Sequence, residues 1–293
     1  MSDQEAEPRS YAYLPKQLRQ PDQGQFSLRL LEDDIRYALQ PSLAKNGATI
    51  SVQSTNIARD AVYRCFNRTQ HQHSAVRDLE SFIELTGIEL LLEGRRAVEL
   101  VVGENTFFVS GLYPGSWSLN GGTLVQTIEE GDALPGRPRE VQLGSSDFYV
   151  FEDEVLRPEF VVALRRRLSI LDTSLRLNLR PDSPGVDRKQ LQFDHGIAML
   201  NVTKPLGWPP RPRPKGFVDP YYAYRVLKFR RFAASLRDSI VRGMNDVIQR
   251  VGKLQGFSAS ISIVGMRSPD DFDEIIDALV SGRVGPAIIK DCW

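Results

Sequence analysis

The sequence predicts an α+β fold in which helices flank a block of antiparallel strands. Apolar residues recur every three or four positions in several stretches, which is the period of an amphipathic helix. Between about residues 94 and 156, short runs of β-branched and aromatic residues alternate with glycine-rich turns, a pattern typical of antiparallel strands. With 293 residues, of which 41% are hydrophobic, the chain is long enough to bury a substantial core.

The N-terminal half is predicted to be a polar tail followed by an α+β domain. Residues 1–25 contain three prolines and no periodicity, so we expect a flexible tail. Residues 26–156 form the domain, with helices in FSLRLLEDDIRYAL and TNIARDAVYRCFNR and a strand in ATISVQS between them. A further helix, SAVRDLESFIELTG, is expected to stop at Gly87. The strands follow in AVELVVG, NTFFVSGLY, GTLVQTIEE, REVQLG and DFYVFE.

Two long amphipathic helices are predicted at residues 157–180 and 220–252. In each helix the apolar residues form one stripe. The stripe residues are Leu164, Leu168, Leu171, Phe229, Phe232, Leu236 and Ile240. Because an isolated pair of long helices covers such stripes poorly, we expect them to pack against other copies of the chain.

Residues 181–219 lie between these helices and contain the stiff, basic run GWPPRPRPKG. We predict that this module contacts a partner through Trp208, Arg211, Arg213 and Lys215, and that QLQFD and GIAMLNV form strands. Three uses of the module stay open. It could be a polyproline II ligand, a nucleic-acid contact with phosphate neutralisation and stacking, or a stiffened structural loop.

The C-terminal region, residues 253–293, is predicted to contain one strand and one helix. FSASISIVG alternates polar and apolar residues with a period of two, as a half-buried strand does. SPDDFDEIIDALVSG has the marks of a capped helix: Ser268 at the N-cap, Pro269 in the first turn and Gly282 after the end.

Charge is unevenly distributed along the chain. The net charge is zero, but residues 157–253 contain 20 Lys and Arg against 8 Asp and Glu. A basic middle with acidic flanks suits contact with a polyanion, or packing of acidic against basic surfaces of two copies. No apolar run approaches the length of a membrane span and the first residues are polar, so we expect no membrane contact and a cytoplasm-like compartment of synthesis.

Few patterns indicate catalysis. His71 and His73 could chelate a metal from a strand, but no third ligand lies at a recognisable spacing. Asp194 and His195 could form an orienting pair for a base, but no nucleophile motif accompanies them. The two cysteines are far apart in the sequence, and LNGG predicts a hairpin turn rather than a phosphate loop. We therefore expect no catalytic residues, no metal site and no cofactor, with a small hydrolase or metal enzyme as a remaining alternative.

The order of these elements resembles that of the portal proteins of tailed bacteriophages. The resemblance is carried by RDLESFIELTGIELLLEGRRAVELVV, RPEFVVALRRRLSILDTSLRLN, YYAYRVLKFRRFAASLRDSIVRGMNDVIQRVG and FSASISIVGMRSPDDFDEIIDALVSG, and it covers roughly residues 50–285. It implies that residues 26–156 and 253–293 form a wing, that 157–180 and 220–252 are stem helices, and that 181–219 form the clip.

The same resemblance implies a function. Portal proteins form a ring, commonly a dodecamer, at one capsid vertex of the virion, through which double-stranded DNA is packaged and ejected. The clip docks the packaging terminase and later the head–tail adaptor, the ring sits within the major capsid protein shell, and the portal itself catalyses nothing. The other function that the sequence leaves open is nucleic-acid binding by the basic segment 157–253.

Overall fold

The computed structural model describes residues 8–11, 26–43, 47–54, 56–66, 75–103, 107–128, 138–178, 187–209 and 219–292. In chain order, the helices of these residues are α1 (Phe26–Leu39), α2 (Asn56–Cys65), α3 (Ala75–Glu93), α4 (Pro158–Asn178), α5 (Arg188–Val202), α6 (Asp219–Gln255) and α7 (Pro269–Val280). The strands are β1 (Thr49–Ser54), β2 (Arg95–Val102), β3 (Phe107–Gly111), β4 (Trp117–Asn120), β5 (Thr123–Thr127), β6 (Glu140–Leu143), β7 (Phe148–Glu152) and β8 (Ala259–Val264). The predicted α+β class is confirmed at this level.

The strands form three small antiparallel sheets with the orders β3-β2-β7, β4-β5-β6 and β1-β8. The last sheet joins two segments that are far apart in the sequence, since Val52 in β1 lies opposite Ile261 in β8. The LNGG run forms the predicted hairpin turn between β4 and β5. Gly121 and Gly122 both have positive φ, 56° and 85°, which the tightest hairpin turns require.

Helix α6 organises the packing of the molecule. At 37 residues it is about 55 Å long. One side of α6, including Leu236 and Met244, lies in the main hydrophobic core. Ala223 and Leu227, near its start, instead belong to a separate apolar cluster with residues of α7. The helix is therefore covered on two sides by its own chain.

Helix α3 does not stop at Gly87, and that prediction is wrong. The helix runs on to Glu93, and Gly94 follows it in a left-handed conformation with φ of 75°. A Cβ atom at position 87 would collide with the side chain of Leu39. Glycine therefore serves close packing of α3 on α1 rather than helix termination.

Residues 188–202 form the single helix α5, so the prediction of two strands in QLQFD and GIAMLNV is wrong. The carboxylate of Asp187 accepts hydrogen bonds from the backbone N–H groups of Lys189 (2.9 Å) and Gln190 (3.3 Å), which caps the helix. Burial recurs at Gly196 and Met199, with the spacing of a helix rather than the alternation of a strand.

Part of the predicted tail packs against the body of the protein. Ser10 and Tyr11 are buried, with 0% and 1% of their surfaces exposed, so the expectation of a flexible tail does not hold for them. Residues 1–7 and 12–25, which complete the predicted tail, lie outside the described residues.

Candidate functional site

Trp208, predicted to contact a partner, is completely buried within its own chain. Its indole Nε1 donates a hydrogen bond to Oδ2 of Asp34 on α1, at 2.8 Å. An indole that buries its rings and still satisfies its N–H group is well suited to a core position. In this structure Trp208 therefore anchors the proline-rich module to the body and offers no face for stacking. The other three predicted contact residues, Arg211, Arg213 and Lys215, lie outside the described residues.

Arg225 on α6 holds the same segment from the other side. Its Nη2 donates to the carbonyl oxygens of Trp208 (2.7 Å) and Leu200 (3.3 Å) and to Oγ1 of Thr203 (3.1 Å). Burial lowers the pKa of this guanidinium. The charge is tolerated because several oxygen atoms at the end of α5 surround it.

The residues of the two predicted stripes line the core of this one chain. Helices α4 and α6 both pack on α1 and α3. The buried members are Leu164, Leu168, Phe229, Phe232, Leu236 and Ile240, and Leu171 is partly buried against them. Other copies are not needed to cover these stripes, and the expectation that they require a ring is therefore corrected.

Many basic side chains of residues 157–253 are bound within the chain. Arg165 donates to the carbonyl oxygen of Leu92 at 2.7 Å, and Arg231 pairs with Asp273 at 2.5 Å. Similar contacts are made by Arg225, Arg237 and Arg250. Five arginines of this segment thus make contacts within the chain, so fewer basic side chains are available to bind a polyanion.

The predicted Asp194–His195 pair is not formed as expected. Asp194 accepts a hydrogen bond from Nε2 of Gln190 at 2.8 Å. His195 instead lies near the buried Asp172 of α4, and burial lowers the pKa of its imidazole while the charge of Asp172 opposes that shift. Asp172 already accepts two hydrogen bonds from the first turn of α1, from N of Ser27 at 2.9 Å and from its Oγ at 2.5 Å. Ser27 and Asp172 are only 3% and 4% exposed, so this pair serves the packing of α1 on α4.

The other candidate reactive groups are the two histidines of the HQH run and the cysteine at position 65. His71 and His73 lie outside the described residues. Within the part of the chain that the structure describes, no group of three or more His, Cys, Asp or Glu could hold a metal ion. Cys65 is a free thiol whose pKa is raised by complete burial, which makes it inert as a nucleophile.

A groove of about 390 Å³ lies between α6 and β8. At its centre the amide of Asn245 donates to the carbonyl oxygen of Ile261 (2.9 Å) and accepts from its N–H group (2.7 Å). The Asn245 amide binds the backbone of Ile261 as a neighbouring strand would, so the N–H and C=O groups of Ile261 point away from β1 and into the groove. In an antiparallel pair every second residue points its backbone groups to the same side, so those of Ile263 also point into the groove. Arg242 and Asp246 also line the groove. The sequence signal that could have indicated Asn245 is an amide side chain next to the apolar residues Met244, Val247 and Ile248 of the same helix.

The comparisons with known proteins do not assign a family. No protein-family model matches the chain, and no curated protein matches it. Among the described helices, none is both long enough and apolar enough to cross a membrane. The portal family therefore stays a prediction based on the sequence resemblance.

Proposed function

We propose that the protein is a structural subunit of the portal type, which forms a ring at one capsid vertex through which double-stranded DNA passes. The observation that carries the proposal is the order of elements: α4, a proline-rich stretch with α5, the long α6, then β8 and α7. This is the order that the resemblance implies. The terminase, the head–tail adaptor and the major capsid protein are the partners that the proposal assigns.

The contacts between ring subunits must use surfaces other than the apolar stripes, which the chain itself covers. The groove between α6 and β8 is the surface that we assign to this contact. Within the described residues, β1 is the one strand paired with β8. On the opposite edge Asn245 already binds the backbone of Ile261, so we assign the contact with another chain to the backbone of Ile263 and to the side chains that line the groove. Exposed Arg242 on this groove and the exposed acids Asp270 and Asp271 at the start of α7 offer the complementary charges of a repeating contact.

Native mass spectrometry of the full chain tests the proposal. We expect a ring of roughly a dozen copies, visible as an annulus in negative-stain images. Arg242→Glu should lower the ring population, because it replaces the basic side chain of the groove lining with a third carboxylate beside Asp238 and Asp246. Lys253→Glu, also exposed on α6 but not part of the groove lining, is the matched control and should leave the ring intact. A chain that stays monomeric at high concentration would overturn the proposal.

The same preparation tests the second candidate function, nucleic-acid binding, which the basic surplus of residues 157–253 favours. A monomer whose affinity for duplex DNA falls steeply with rising salt would replace the ring by a direct DNA-binding role. Under the ring proposal, the isolated monomer has at most weak affinity for DNA, because many of the arginines in this segment are bound within the chain.

A further inference from the structure

Residues 8–11, which we call the arm, lie in a groove between two of the sheets. The arm has no helix or strand of its own. Tyr11 is buried in an apolar cluster with Leu112 and Trp117. That cluster also contains Leu124 and Val141, from the strands of the β4-β5-β6 sheet. The arm therefore fills a site between strands rather than extending a neighbouring element.

Glu99 on β2 recognises the first half of the arm. Its carboxylate accepts hydrogen bonds from the backbone N–H groups of Arg9 (3.1 Å) and Ser10 (2.8 Å), and from Oγ of Ser10 (2.5 Å). Glu99 is only 2% exposed. The guanidinium of Arg9 reaches outward and donates to Oδ2 of Asp147 at 2.6 Å. A buried carboxylate that receives consecutive backbone N–H groups is suited to binding an extended peptide.

Gln126 on β5 recognises the second half. Its Oε1 accepts from the N–H group of Tyr11 at 2.7 Å, and its Nε2 donates to the carbonyl oxygen of Tyr11 at 2.9 Å. The N–H group of Tyr113 donates to that same carbonyl oxygen at 3.3 Å. Gln126 thus binds the backbone of Tyr11 as a paired strand would, while the apolar cluster surrounds the Tyr11 side chain.

The groove is costly to leave empty. Both Glu99 and Gln126 are buried when the arm is bound, at 2% and 0% exposure. Departure of the arm would remove the hydrogen bonds that its backbone makes to these side chains, and it would expose the pocket of Tyr11. The site therefore favours being filled at all times, by whichever chain supplies the segment.

We propose that this groove is a peptide-binding site that accepts the same Arg-Ser-Tyr segment from a second copy of the chain. An arm from a neighbouring copy has the same sequence, so it would make the same contacts in this groove. The 14 residues between the arm and α1 can span at most about 50 Å when extended, which is enough to reach an adjacent copy. Exchange of an identical segment needs no new interface, so it links subunits at low cost. In the proposed ring this exchange would link neighbouring subunits, but neither the affinity of the groove for the arm nor the exchange itself depends on the ring.

The first experiment measures binding in trans. Ser10→Ala and Tyr11→Ala in the full chain remove the Ser10 hydroxyl contact and the buried Tyr11 ring, so we expect this variant to hold its own arm less tightly. A synthetic peptide of residues 5–14, EAEPRSYAYL, is titrated against it by calorimetry. We expect saturable one-to-one binding and a rise in Tm. A peptide with Tyr11→Ala should bind to the variant at least about tenfold more weakly than the natural peptide does. The natural peptide should also bind at least about tenfold more weakly to the parent chain, because the parent's own arm fills the groove. If the variant does not fold alone, it should be recovered by refolding with the natural peptide and not with the altered one.

The second experiment tests exchange between copies. The parent chain at high concentration should form dimers or larger species in native mass spectrometry, and excess peptide should dissociate them. The double variant should form fewer of these species. Failure of the variant to bind the peptide or to be rescued by it would overturn the proposal. Exchange would be overturned if the variant binds the peptide but the parent chain stays monomeric. It would also be overturned if excess peptide leaves the oligomers of the parent chain intact.

The outcomes separate this proposal from the ring. Rings that persist in excess peptide would leave the proposed function standing and overturn exchange. Dimers linked by arms without any ring would support exchange and contradict the portal proposal.

Discussion

Gly207 shows how a single residue lets the proline-rich module return to the body. Its φ of 71° is left-handed, and a Cβ atom at this position would lie 2.5 Å from Cβ of Lys228 and 2.7 Å from the backbone N of Phe229. Glycine thus meets two demands, a turn and a close approach to α6. Trp208 follows directly, and its burial depends on this approach.

Gly207→Ala should destabilise the protein more than a matched glycine substitution does. Gly256 also has a left-handed conformation, with φ of 73°, but no atom lies within 4 Å of its hypothetical Cβ. Gly256→Ala should cost about 1 kcal/mol in the free energy of unfolding, from backbone strain alone. Gly207→Ala should cost about 1–3 kcal/mol more because of the steric overlap with α6. Urea unfolding of the two variants measures the difference, and equal losses would contradict the role of close approach.

At the residue scale, local signals are readable from the sequence and distant partners are not. The N-cap of α7 follows from adjacent residues, and Ser268 caps the helix as predicted; the structure adds that Asp271 completes a capping box with it. The surroundings of Trp208 favour an exposed loop, because prolines and basic residues flank it. Its actual partner is Asp34, 174 positions away in the chain. A local pattern carries no information about that contact.

At the scale of elements, the periodicity of α6 predicts which residues are buried but not what covers them. The stripe from Phe229 to Ile240 is buried, but α1 and α3 of the same chain cover it, whereas we expected other copies to do so. The wrong prediction of two strands where α5 lies has a related cause. Short apolar runs fit strands and helices equally well, and the Asp187 cap that decides between them lies at the edge of the segment.

Leu236→Asp should prevent folding rather than assembly alone. Leu236 is fully buried in the main core, so an aspartate there would be a desolvated charge without a partner. Gln249→Asp, on an exposed position of the same helix, should change the free energy of unfolding by less than about 0.5 kcal/mol. Circular dichroism and soluble yield compare the two variants. A folded, soluble Leu236→Asp monomer would show that α6 is not part of the chain's own core.

At the scale of the whole molecule, contacts between distant parts of the chain hold the fold together. The β1-β8 sheet pairs residues near position 50 with residues near 260, and the arm pairs residues 9–11 with β2 and β5. Periodicity predicts the antiparallel strands and both long helices, but it does not predict how they pair across the chain. The stripes therefore suggest a stalk with uncovered sides, whereas long-range packing places both helices within one core.

The Arg9–Asp147 contact ties the arm to the body in a pH-dependent way. The hydrogen bond from Arg9 lowers the pKa of Asp147 in the folded protein, with a further contribution from Ser146. The contact therefore stabilises the fold fully above the ordinary pKa of an aspartate, about 4, and is lost as the pH falls through the lower folded value. Asp147→Asn should reduce stability by a constant amount from about pH 7 to pH 5, and the difference from the parent should shrink below about pH 4. Urea midpoints across this range measure it, with Asp277→Asn on the exposed side of α7 as a control that changes little at any pH. Equal urea midpoints for the parent and Asp147→Asn across this range would mean that the arm is held without this ion pair.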